Sequence, residues 1–362
     1  MTADGQARDG ETEIVFAPES GDGVEAFEGS FQVPENRTNP DSRMLTLKYV
    51  RFAATGDTPG APIVYLAGGP GGAGIRTAKY DRFPLFMAMR EFGDVIAFDQ
   101  RGTGGSNDLP NCTSSQHVSV TEPTTDAEVF AKERTAFAEC LDYWKSEGVD
   151  VLGYTTTESV ADLDDLRKHL GVDQVDLWGI SYGSHLSLAA LQQIDDRIGR
   201  VVITAIEGLD QTVKQPARVD QYFDRLQAAI DTDPAAKSKY PNVKALIARV
   251  LNQLEETPLL VQVPTREGEA APFLLQKRDL QKYTSALVAD PARVVWILDI
   301  YRSLDEGDTA PLIALLQRAI DPSDTAISFR PMTTLMDVAS GSGADRREMI
   351  TQQAETALLG LH

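Results

Sequence analysis

The sequence predicts an α/β fold on a mostly parallel sheet flanked by helices, and three observations carry that expectation. First, short apolar runs recur as "APIVYLAGG" (61–69), "DVIAFD" (94–99), "QVDLWGIS" (174–181) and "RIGRVVITAIEG" (197–208), with helical patterns between them. Buried strands separated by helices pair in parallel, because each crossover carries the chain back to the same end of the sheet. Second, glycine-rich or turn-forming residues follow the first three runs, where the carboxyl ends of parallel strands gather a site. Third, after Gly208 the texture changes to helix upon helix. A chain of 362 residues has room for such a core and an insertion.

Taken in order, residues 1–28 read as a polar leader and 29–212 as the α/β core; 213–362 read as a mainly helical cap or lid. In the core, "GSFQVP" (29–34) and "RMLTLKYVRFAA" (43–54) alternate apolar and polar residues, as half-buried antiparallel strands do. A helix is expected over about 75–91, and a long acidic one within 125–148. "TTTESVADLDDLRKHLG" opens on a Thr155-x-x-Glu158 capping box and closes on Gly171, both good helix limits. In the cap, "PLLVQVPTREGEAAPFLLQ" (258–276) reads as a hairpin turning at Arg266–Gly268.

The charge balance excludes one class of partner. Fifty-four acidic against 34 basic residues give a net charge of −20, which repels nucleic acid. No run approaches the roughly 18 apolar residues of a membrane helix. The two cysteines, Cys112 and Cys140, are too few for a zinc site without neighbouring histidines; free buried thiols and a disulfide both remain open on local grounds. No cofactor is expected.

Three motifs carry the chemistry. Gly179-Ile180-Ser181-Tyr182-Gly183 places a serine between an apolar strand and a helical pattern. Such a nucleophile elbow holds the serine on a strained turn whose helix N-terminus faces a developing oxyanion. Ala67-Gly68-Gly69-Pro70-Gly71-Gly72 follows the first buried strand. It lacks the lysine of a phosphate loop, and Pro70 interrupts a dinucleotide fingerprint, so a second oxyanion donor is the better reading. In "FDQRGTGGS", Asp99 and Arg101 fall just past a strand end, where they serve a salt bridge or turn, or where Asp99 is an acid.

With these intervals, "GGPGG", "DQRGTGGS" and "WGISYGS" resemble the proline iminopeptidase and tripeptidyl aminopeptidase family of α/β-hydrolases over residues 29–208. The resemblance implies Ser181 as nucleophile and the backbone N–H groups of Gly69 and Tyr182 as oxyanion hole, with Gly68, Pro70, Gly179, Gly183, Asp99 and Arg101 supporting the turns. It also implies a cap that admits short peptides read from a free N-terminus, or small esters on the same machinery. A Cys112–Cys140 disulfide and a secreted or periplasmic location, with a signal removed, are implied too; the cytoplasm is the alternative.

Two positions depart from the pattern. Ala67 stands where the family often has histidine. More seriously, an acid and then a histidine should follow the serine. Of four histidines, His117 and His169 precede it, His185 lies one turn along its own helix, and His362 is a terminal residue without support. Asp337 and Asp345 cannot be assigned without a histidine, nor can Glu207, Glu255 and Glu256 be placed as readers of a substrate amine. The expectation is a chain that ends in or just after its cap, lacking the last strands. It would be inactive alone, or a binding protein on a truncated hydrolase fold.

Overall fold

The computed structural model describes residues 6–106, 109–265, 269–288, 290–319 and 325–361. These fall into two compact units: the first spans Met1–Cys112, Cys140–Thr212 and Phe329–Ser342, the second Thr113–Glu139, Val213–Ser328 and Gly343–His362. The sequence suggests one cut near residue 212; the chain instead re-enters each unit.

In chain order the strands are β1 (Thr12–Phe16), β2 (Val24–Pro34), β3 (Met44–Phe52), β4 (Ile63–Leu66), β5 (Val95–Asp99), β6 (Cys112–His117), β7 (Val175–Ile180), β8 (Ile198–Thr204), β9 (Leu259–Pro264), β10 (Ala270–Leu275) and β11 (Ala326–Phe329). The helices are α1 (Gly74–Ala78), α2 (Phe83–Met89), α3 (Asp126–Ser146), α4 (Thr156–His169), α5 (Tyr182–Gln193), α6 (Pro216–Ile230), α7 (Pro234–Lys239), α8 (Val243–Glu256), α9 (Lys277–Val288), α10 (Val294–Asp305), α11 (Ala310–Ala319), α12 (Pro331–Ser340) and α13 (Ala344–Ala354).

The first unit is an α/β sheet of seven strands in the order β1-β2-β3-β5-β4-β7-β8. Pairing is antiparallel from β1 to β5 and parallel among β5, β4, β7 and β8. The four parallel strands are those the apolar runs predict. β4 and β5 are buried at every position, as strands covered on both faces must be. Tyr65, Phe86 and Trp178 meet edge-on or tilted, with centroids 4.7–5.0 Å apart, and form the aromatic centre of one core.

Two local expectations change. Residues 12–28, read as leader, form β1 and the start of β2, with Thr12 opposite Glu28 and Phe16 opposite Val24. The reason is a buried ion pair: Arg51 reaches Glu11 at 2.6 Å and Asp94 at 3.2 Å, and its guanidinium lies 4.3 Å above the Phe27 ring. The single helix expected at 75–91 is two, α1 and α2, because Pro84 lacks the N–H an interior turn needs and sits instead in a first turn.

The second unit has its own apolar core. α8 shows why: Val243, Leu246, Ile247, Val250, Leu251 and Leu254 recur at helical spacing and are all buried. β9 and β10 pair antiparallel, Pro264 opposite Ala270, where a hairpin is expected; its turn at Arg266–Gly268 lies outside the described residues. β6 and β11 form a separate two-stranded sheet.

Candidate active site

β4 and β7 are neighbours in the sheet, with Leu66 opposite Gly179. Whatever follows their carboxyl ends is therefore brought side by side: the glycine loop after β4, and Ser181 after β7. This is the relation that sequence spacing alone cannot show.

Ser181 sits at φ 54, ψ −122, left-handed backbone that a residue with a Cβ enters only under strain. Its N–H donates to the Thr204 carbonyl of β8 at 3.1 Å. Its carbonyl accepts from the Ser184 hydroxyl at 2.6 Å, and the same hydroxyl accepts from the Glu207 N–H at 2.8 Å. Its own Oγ caps nothing, so the helix start leaves the hydroxyl unengaged. The turn is tight enough that a Cβ on Gly183 would lie 2.0 Å from the Leu66 carbonyl oxygen, and one on Gly179 2.4 Å from the Gly183 oxygen. Tyr182 is buried, its hydroxyl 3.3 Å from Thr156 Oγ1, and burial pushes the phenol up to about 12.

The glycine loop comes up against the serine. A Cβ on Gly68 would stand 2.9 Å from Ser181 Cβ and 3.6 Å from its Oγ. The Gly72 N–H closes the loop on the Gly68 carbonyl at 2.9 Å, and Gly69–Pro70 is a cis peptide. Thr333 of α12 donates its hydroxyl to the Pro70 carbonyl at 2.9 Å. Buried Gln100 donates from Nε2 to the Ala67 carbonyl at 3.2 Å, beside the position where the resemblance expects histidine. Among the described residues, neither the Gly69 N–H nor the Tyr182 N–H donates a hydrogen bond.

Asp99 and Arg101 are placed in separate networks. Asp99 accepts from the Ile75 N–H at 2.9 Å and the Gly105 N–H at 2.8 Å, tying α1 to the turn after β5, while burial holds its carboxyl above the usual range. Arg101 is wholly buried, with Nε and Nη2 on Asp162 at 2.6 and 2.7 Å and Nη1 on the Glu35 and Gly153 carbonyls. Arg37 joins the same acids, reaching Glu158 at 2.5 Å and Asp162 at 2.8 Å. Thr155 Oγ1 does accept from the Glu158 N–H at 3.2 Å, but the Glu158 carboxylate turns to Arg37 and leaves the box half closed. A complete box stands instead at Thr125 and Glu128, which carry the same spacing. Cys112 and Cys140 form a disulfide, Cα atoms 5.7 Å apart.

No described histidine is hydrogen-bonded to Ser181. His185 places Nδ1 3.2 Å from the Gly208 carbonyl and stacks on Tyr182, centroids 5.6 Å apart. His169 lies 3.2 Å from the Tyr49 hydroxyl, and His117 in the second unit 3.1 Å from Thr325 Oγ1. His362 lies outside the described residues. Asp337 is exposed on α12 of the first unit; Asp345 is exposed at the start of α13 in the second. Of the three glutamates, Glu207 is buried three residues past the end of β8, whereas Glu255 pairs with Lys277 and Glu256 is exposed, both in the second unit. Among the described residues no helix is long and apolar enough to cross a membrane.

The serine protease Hip1 of Mycobacterium tuberculosis is 30% identical over 184 residues, 48% of this chain and 35% of that protein. Tripeptidyl aminopeptidase of Streptomyces lividans is 24% identical over 229 residues, 61% of this chain and 41% of that protein. Proline iminopeptidase of Xanthomonas citri is 31% identical over 143 residues, 38% and 30% of the two chains. The chain thus spans well under two thirds of the length of these relatives. The alpha/beta hydrolase fold family matches residues 61–260, which take in the glycine loop, the elbow and every parallel strand. More than half the chain lies in that match, and the chain belongs to the α/β-hydrolase fold family, among serine-peptidase-like relatives.

Proposed function

We propose that this chain carries the nucleophile and oxyanion hole of a serine hydrolase that cleaves short peptides from the N-terminus. The observation that carries the reading is the strained backbone of Ser181, at φ 54, held at a strand-to-helix turn beside two unengaged N–H donors. The hydroxyl oxygen attacks the scissile carbonyl carbon, and the Gly69 and Tyr182 amides receive the charge that develops on its oxygen. Collapse breaks the C–N bond, releases the amine and leaves an acyl group on Ser181, which water then hydrolyses.

The base that takes the Oγ proton is none of His117, His169 or His185, each engaged elsewhere. An elbow and oxyanion hole acting without their base retain only about 10³–10⁴-fold over water. The Cys112–Cys140 disulfide supports a secreted or periplasmic setting.

Labelling with a fluorophosphonate tests the nucleophile: wild type reacts and Ser181→Ala does not. A serine without its base reacts slowly, so labelling is followed over hours at high probe concentration; no reaction at all, with the fold intact, removes Ser181 as the nucleophile and favours a binding protein. Turnover of an alanyl-alanyl-alanyl arylamide against a p-nitrophenyl ester then separates peptidase from esterase.

A further inference from the structure

Within the first unit a cavity of about 820 Å³ opens from the glycine loop, with Gly68 and Gly69 in its wall. Three arginines from three separate segments line it: Arg76 on α1, Arg82 ahead of α2 and Arg330 ahead of α12. Arg82 is half-buried; the other two are exposed.

The charge around this cavity runs against that of the whole chain, where acidic residues outnumber basic ones by 54 to 34. Elsewhere in the first unit Arg37, Arg43, Arg51, Arg101 and Arg197 each hold a carboxylate. Among the described residues none of Arg76, Arg82 and Arg330 forms an ion pair, and Asp81 is the sole carboxylate in the lining. A concave wall focuses the field of such charges, and guanidinium groups receive carboxylates in two-pronged fashion. Ser181 is not itself in the lining, and Gly68 makes the connection: it belongs to the cavity wall, and a Cβ on it would stand 3.6 Å from Ser181 Oγ.

We propose that this cavity is a carboxylate subsite beside Ser181, which selects peptides bearing an acidic side chain or a free C-terminal carboxylate next to the bond under attack. The proposal rests on Ser181 being the reacting residue, and the cavity's preference for carboxylate is tested apart from it. Titration calorimetry on Ser181→Ala protein compares Ala-Ala-Asp-amide, Ala-Ala-Ala with its free carboxylate, and neutral Ala-Ala-Ala-amide. At low salt at least one carboxylate-bearing peptide binds about tenfold tighter than the neutral amide, and 0.5 M NaCl compresses the ratio. Each of Arg76→Gln, Arg82→Gln and Arg330→Gln lowers the ratio about two- to threefold, and the triple variant brings it close to one at unchanged thermal midpoint.

A preference for the Asp peptide assigns the subsite to acidic side chains, and a preference for the free tripeptide assigns it to the chain terminus. A ratio near one in the parent, or a ratio the triple variant leaves intact, overturns the subsite. Prolonged fluorophosphonate labelling of wild type reports the nucleophile on its own: no reaction at Ser181 with a retained carboxylate preference sinks the hydrolase reading and spares the anion site.

Discussion

Gly68 and Ser181 stand so close that a methyl group on the first would lie 2.9 Å from the Cβ of the second and 3.0 Å from the Ile180 carbonyl oxygen. Both obstacles belong to the backbone of the elbow or sit one bond from it, so neither can swing aside. Gly68→Ala must therefore displace the glycine loop from the serine. Misplacement of about 1 Å costs a reaction on the order of a hundredfold. The fluorophosphonate labelling rate of Ser181 is expected to fall at least about tenfold, while far-UV circular dichroism stays that of wild type. An unchanged rate would show that the loop takes no part in the site.

The strain at Ser181 is itself measurable. With φ at 54, glycine occupies the position without a Cβ penalty. Ser181→Gly is expected to raise the free energy of unfolding by about 1 kcal/mol and to abolish labelling. Urea denaturation reads the first effect, and a destabilised variant would remove strain as the reason for this backbone.

Arg101 and Asp162 form a two-pronged pair at 2.6 and 2.7 Å with neither side chain more than 1% exposed. Removing one partner of such a buried pair costs about 3–5 kcal/mol, and Asp162→Asn leaves Arg101 with Glu158, at 3.4 Å, as its remaining carboxylate. Asp162→Asn is expected to cost that much in urea denaturation, and Arg43→Gln much less, since the Arg43 side chain is about a third exposed (35%) where it meets Glu35. Equal losses would show that burial does not set the scale.

Stability should fall with acid in two windows. Burial lowers the His169 pKa, so the folded state resists its protonation. As pH drops below about 6.5 the unfolded chain takes up that proton first, and stability declines. Burial alone would raise Glu11, but the hydrogen bonds from Arg51 and the Arg8 N–H hold it below its usual value. Its contribution is fully present above the unfolded value near 4.3 and is lost as pH falls through the lower folded one. Asp99, raised by burial, works in the opposite sense, because its penalty disappears once both states are protonated. Urea midpoints from pH 7 to 3.5 are expected to show a flattened upper window in His169→Gln and a flattened lower one in Glu11→Gln; unaltered profiles would remove both groups as the cause.

The elements legible in the sequence were those whose cause is local. The four parallel strands announce themselves as apolar runs of strand length, α8 as a stripe at helical spacing, and the elbow as glycines around a serine before a helix. β1 is not legible in its own residues, because what orders its start is Arg51, some 40 residues away, closing on Glu11. The Glu158 side chain departs from its capping-box expectation for a similar reason: a nearby N-cap competes with a guanidinium that folding delivers from residue 37, and the charged partner wins.

The amino-acid order determined that this chain builds an α/β-hydrolase sheet with a serine at a strained turn and a glycine loop upstream, since strand, helix and turn preferences act over a few residues. Tertiary structure decided what the serine faces. β4 and β7 are more than a hundred residues apart in the chain and adjacent in the sheet, and only that pairing sets Gly68 against Ser181. It likewise decided that α12, written in sequence as part of a lid, reaches the glycine loop through Thr333, and that Arg76, Arg82 and Arg330 share one cavity. Hydrophobic periodicity reports which face of an element is buried, never which element will lie beside it.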